Sequence, residues 1–153
     1  MTDLDTIQKD LGIYIRDKLR ADTTLLAFNS SVDAENWIFF GRPKDLADKF
    51  PVPRIIIEPI DEAEEDWNLE EEKDILIPYN THIWIDQAIA DAYDSYEMGD
   101  IVEKIMRSLD DDPDSEGIYK SEVIGFSSDP EPTDERVLIH VVVRHQMIWR
   151  QNE

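Results

Sequence analysis

From residue 136 to residue 150 the chain alternates with a period of two. Val137, Ile139, Val141, Val143, Met147 and Trp149 fall on one face, and Leu138, His140, Arg144, Gln146 and Arg150 on the other. Such alternation marks a strand with one buried face, in which His145 takes the place of an apolar residue in its row. At about 3.3 Å per residue the run would approach roughly 50 Å, far longer than a usual strand, so it is expected to bend or to project past the core. A second run, residues 74–86, sets Ile75, Ile77, Tyr79, Thr81, Ile83 and Ile85 against Leu76, Pro78, Asn80, His82 and Trp84. Pro78 has no N–H for a ladder, which predicts that this strand lies at an edge or carries a bulge there.

The other elements are shorter. Leu4, Ile7, Leu11, Ile15 and Leu19 recur at helical spacing and predict an amphipathic helix over about 3–20. Asp22-Thr23-Thr24 offers a cap for one further turn through Leu25, Leu26 and Phe28. Residues 36–41 read as a short strand ended by Gly41 and Pro43, and residues 54–58 as a β-branched strand confined by Pro53 and Pro59. The acid-rich stretch 58–74, interrupted by Trp67 and Leu69, reads as a loop or hairpin tip. A second helix is predicted over about 87–109, with Ile89, Tyr93, Tyr96, Val102, Ile105 and Leu109 on its buried side and Gly99 weakening its middle by up to about 1 kcal/mol. Residues 110–114 stop it, 118–126 read as a strand and 127–132 as a turn. This order predicts one α+β domain over 1–153: a single mixed or antiparallel sheet of about five strands, with two main helices packed on one face.

Charge narrows the function. Thirty-six acidic side chains against 15 basic ones leave a net charge of −21. Such a chain repels phosphate backbones and anionic membrane surfaces. Hydrophobic residues still make up 41% of it, so the acid is expected to surround a folded core. The acid suits a shell adapted to concentrated salt, a surface that repels nucleic acid or gathers divalent cations, or both at once. Cysteine is absent, which removes thiolate nucleophiles, zinc–thiolate sites and disulfides. The first residues lack the charge and apolar run of a secretory signal, and no apolar run approaches the roughly 18 residues of a membrane span. A cytosolic setting is expected.

No catalytic constellation emerges, and no cofactor is expected. His82, His140 and His145 share no ligand spacing, Ser121, Ser127 and Ser128 lack a nucleophile elbow, and the five glycines form no phosphate loop. A calcium loop started at Asp112 places Asp114, Glu116 and Gly117 correctly, but its closing bidentate position falls on Val123 and a strand follows it. A plain helix-to-strand turn is the simpler reading. Trp67 and Leu69, apolar inside acid, suit a segment that orders on a partner subunit.

The order of landmarks resembles the tail-completion or tail-terminator family of long-tailed phages and archaeal viruses. The resemblance rests on the helix ending Ile15-Arg16-Asp17-Lys18-Leu19-Arg20-Ala21-Asp22, on Phe40-Gly41-Arg42-Pro43, and on Pro53-Arg54-Ile55-Ile56-Ile57-Glu58-Pro59. The strand ending His82-Ile83-Trp84, the helix around residues 100–105 and the closing strand to Trp149 complete it. It covers nearly the whole chain through loose structural motifs. It implies a non-enzymatic virion subunit, assembled in the host cytoplasm, that closes into a six-fold ring at the head-proximal end of the tail tube. The implied partners are other copies of the chain, the tail-tube protein and a head-neck connector or stopper, with genomic DNA passing through the lumen without adhering. The family has no catalytic residues to carry over. The acid content and the insertion at 61–74 depart from its pattern. A heterologous ring needs two unlike surfaces, and the over-long last strand with Trp149, the strand of Pro78, and Trp67 with Leu69 are the candidates. Rival readings are another neck or head-completion protein and, more distantly, an acidic divalent-cation-binding module or enzyme.

Overall fold

The computed structural model describes residues 4–41, 53–60, 64–67, 73–86, 92–114, 117–132 and 137–151. Helix α1 (Leu4–Ala21) buries the expected stripe of Ile7, Leu11, Ile15 and Leu19. Lys18 and Arg20 in its last turn oppose the negative end of the helix dipole. Arg20 also donates from Nε and Nη2 to the Ile38 carbonyl at 3.0 and 2.7 Å, which ties the helix end to the sheet. The Asp22 carboxylate accepts from the Leu25 N–H at 2.8 Å and caps the one-turn helix α2 (Thr23–Leu26), as its position in the sequence predicts.

Six strands build one mixed sheet: β1 (Ile38–Phe40), β2 (Arg54–Pro59), β3 (Glu64–Trp67), β4 (Lys73–Asp86), β5 (Ile118–Pro132) and β6 (Val137–Gln151). The order is β1-β2-β4-β6-β5, and β3 pairs with β4 on the same side as β2, so the sheet is five positions wide. Only β1 and β2 run parallel. Gly41 ends β1 at φ +74°, where its N–H still reaches the Ile57 carbonyl at 2.8 Å.

The expectation for Pro78 is corrected. β4 lies inside the sheet and pairs with β6 in unbroken register from Lys73↔Gln151 to Asp86↔Leu138. The Pro78 carbonyl accepts from the Ile60 N–H at 3.2 Å. In a strand the amide N and carbonyl of one residue face the same side, so the missing N–H points away from β6. It points to the gap where β3 stops at Leu76 and β2 begins at Tyr79.

The turn expected at residues 127–132 is also corrected, because β5 runs on through Pro132. Its prolines are tolerated because β5 is an edge strand of the described sheet. Pro130 and Pro132 are two residues apart, so both ring nitrogens face the side without a partner. Part of the acidic stretch likewise forms strand, since β3 pairs Glu64–Trp67 with Leu76–Lys73.

Helix α3 (Ala92–Arg107) buries Met98, Val102 and Met106, followed by Leu109. Ile105 is half-buried, whereas Tyr96, expected inside, is exposed; Ile89 lies outside the described residues. Gly99 lets this helix approach closely: a Cβ there would stand 2.3 Å from Phe126 and 3.3 Å from Val141. The inward residues of α1 and α3 join one core with Ile55, Ile57, Ile75, Ile77, Ile83, Val141, Val143 and Met147 of the sheet. A smaller cluster of Ile56, Trp84 and Leu138, with Phe39 against it, occupies the sheet's second face.

Candidate functional surfaces

The three histidines divide between the two faces as their strand positions predict. His145 is fully buried in the core row of β6, where its Nε2 lies 2.9 Å from Thr81 Oγ1 and its ring stacks on Tyr79 with centroids 5.6 Å apart. Its Nδ1 has no hydrogen-bond partner among the described residues, and burial pushes its pKa down to about 3. The Tyr79 hydroxyl donates to the Gln8 carbonyl at 2.6 Å, and burial raises its pKa.

His82 and His140 meet on the second face. His82 Nδ1 lies 2.8 Å from His140 Nε2, and the two rings stand edge to edge with centroids 5.0 Å apart and planes 22° from parallel. Spacing within the sequence cannot show this pair, because 58 residues separate the two. Its only trace is that both histidines fall on the polar rows of the two period-two runs.

Two bulges shape the β5 edge. The register with β6 slips between Ile118 and Lys120 and again between Val123 and Gly125, leaving Tyr119 and Ile124 as the extra residues. Both are exposed, and Phe126 and Tyr96 add an exposed aromatic pair, 6.2 Å between centroids, on the same border. Four of the five exposed large hydrophobics among the described residues therefore lie along β5 and the adjoining helix. Arg150 braces the near end of this edge. Its Cζ sits 3.5 Å from the Tyr119 ring centroid, and its Nε donates to Asp74 at 2.9 Å. Trp149 is half-buried beside it against the core, and its indole fills the space over Gly117, whose φ is +87°.

The candidates from sequence fall apart in space. Asp112 is engaged within the fold, paired with Lys18 of α1 and accepting from the Asp114 N–H at 2.8 Å. These contacts, the Lys18 ammonium first, hold its carboxyl below the usual carboxylate range. Asp114 contributes its backbone there, and Glu116 lies outside the described residues. No three His, Asp or Glu side chains among the described residues are arranged to hold a metal ion. The backbone of Trp67 ends β3 opposite Lys73, and Leu69 lies outside the described residues. Pro78 sits mid-sheet, whereas Trp149 of β6 adjoins the β5 border. No helix among the described residues is long and apolar enough to cross a membrane.

No family model matches the sequence, and no curated protein matches it significantly. A solved chain in the virion of a native gene transfer agent particle is similar in structure. It superposes with a TM-score of 0.57 over 88% of this chain and 91% of that one, at 14% sequence identity. At that identity the likeness is one of fold, and this chain thus shares its α+β fold, over nearly its whole length, with a chain of a virion particle.

Proposed function

We propose that the protein is a structural virion subunit, a tail terminator or completion protein without enzymatic activity. Its copies close into a six-fold ring at the end of the tail tube and join it to the head-neck connector or stopper, and DNA passes through the lumen. The observation that carries this reading is the fold likeness to a chain of a gene transfer agent virion across 88% of the residues. The surfaces are consistent with it: β5 offers a long edge bordered by Tyr96, Tyr119, Ile124 and Phe126, which suits assembly with other subunits. A net charge of −21 suits a conduit that DNA crosses without adhering. The test is light scattering and electron microscopy of the purified chain, alone and with its tail-tube protein. Closed rings, free or seated on tube ends, are expected. A strictly monomeric chain in both conditions overturns the proposal.

A further inference from the structure

On the second face of the sheet the rings of Trp84 and His82 of β4 and His140 of β6 all meet one another, with centroids 4.6–5.3 Å apart, and Arg54 and Glu58 of β2 flank them. Arg54 Cζ lies 4.6 Å from the Trp84 ring centroid, and Trp84 stacks on His140 at 4.6 Å with the planes 6° apart. His140 meets His82 edge to edge, and His82 Nε2 stands 3.6 Å from Glu58 Oε2. Trp84 is buried, so the ring cluster is part of the packed structure. The 2.8 Å contact between His82 Nδ1 and His140 Nε2 needs one nitrogen carrying hydrogen and one offering a lone pair.

That requirement limits how many protons the two rings can hold together. With each ring neutral the contact is an ordinary hydrogen bond. One added proton leaves it intact and makes it charge-assisted. A second places N–H groups on both facing nitrogens and two cations with centroids 5.0 Å apart. We infer that His82 and His140 form one proton-sharing unit, whose hydrogen bond between β4 and β6 side chains persists while the pair holds no more than one extra proton and breaks when it takes a second.

The surrounding charges fit that sequence. From β2, the Glu58 carboxylate stands beside His82, and the Arg54 guanidinium lies over Trp84, the ring that touches both histidines. Asp86 of β4 and Arg144 of β6 share the face further along their strands, and Asp129 of β5 is the register partner of His140. Two nitrogens without a third converging donor among the described residues suit a shared hydrogen better than a metal ion.

Nitrogen-15 NMR of the imidazoles in the full-length chain, followed from pH 8 to pH 4.5, tests this independently of ring assembly. In the wild type the His82 and His140 signals should change together, each responding at both of two successive steps. The hydrogen-bonded nitrogen signal should disappear with the second step. In His82→Gln and in His140→Gln the remaining histidine of the pair should titrate in one simple step. Two independent single steps in the wild type overturn the inference. So does displacement of the hydrogen-bonded signal by zinc at micromolar concentration, which would make the pair a metal site. The wild-type titration decides alone should either variant fail to fold.

Discussion

Mild acid should destabilise this protein through His145, and a paired substitution should remove that sensitivity. The imidazole is fully buried between the core and Tyr79, and burial pushes its pKa down to about 3. The native ring therefore stays neutral, while the same histidine in the unfolded chain titrates near about 6.5. Between these values the unfolded state binds more protons than the native state, so stability rises with pH across the window and is lost as pH falls below about 6.5. The slope approaches about 1.4 kcal/mol per pH unit, and the loss accumulated from pH 7 to pH 5 is about 2 kcal/mol. Thr81→Val with His145→Leu removes both partners of the 2.9 Å contact, so neither is left as a buried polar group without its mate. Urea unfolding of wild type and double variant at pH 7 and pH 5 measures the effect. Carboxylates titrate in both proteins and cancel in the difference. The variant should gain about 2 kcal/mol relative to wild type on going to pH 5. Parallel pH profiles would refute the reasoning, since they would mean that His145 takes up its proton equally well in the folded protein.

Two further outcomes are expected. Gly117→Ala meets two obstacles, a φ of +87° and the Trp149 indole nitrogen 2.3 Å from the new Cβ; it should cost about 2 kcal/mol or more in urea unfolding, and a loss below about 0.5 kcal/mol would show that neither constrains the turn. The net charge of −21 should make the melting temperature rise between about 0.1 M and 2 M KCl as screening removes self-repulsion, and a flat response would leave the high-salt reading without support.

Most of the buried faces can be read from the chain alone. Periodicity is a local property, so Ile7, Leu11, Ile15 and Leu19 on α1 and Val141, Val143 and Met147 on β6 are legible without any neighbour, as is the unusual histidine in that row. The Asp22 cap and the break at Gly41 are legible for the same reason, since each depends on atoms within a few residues. Helix α3 is less legible: its chemistry favours an inward Tyr96, but the helical phase set by Met98, Val102 and Met106 turns that ring outward. How the strands meet depends on contacts between distant segments. Pro78 is tolerated inside the sheet because its nitrogen faces a gap between two neighbours, and Pro130 and Pro132 extend β5 because that strand is at the edge. Hydropathy records burial, not which side of a strand an N–H faces or which strand lies there. The meeting of His82 with His140, and the bulges that turn Tyr119 and Ile124 to the surface, follow from a register set between distant segments of the chain.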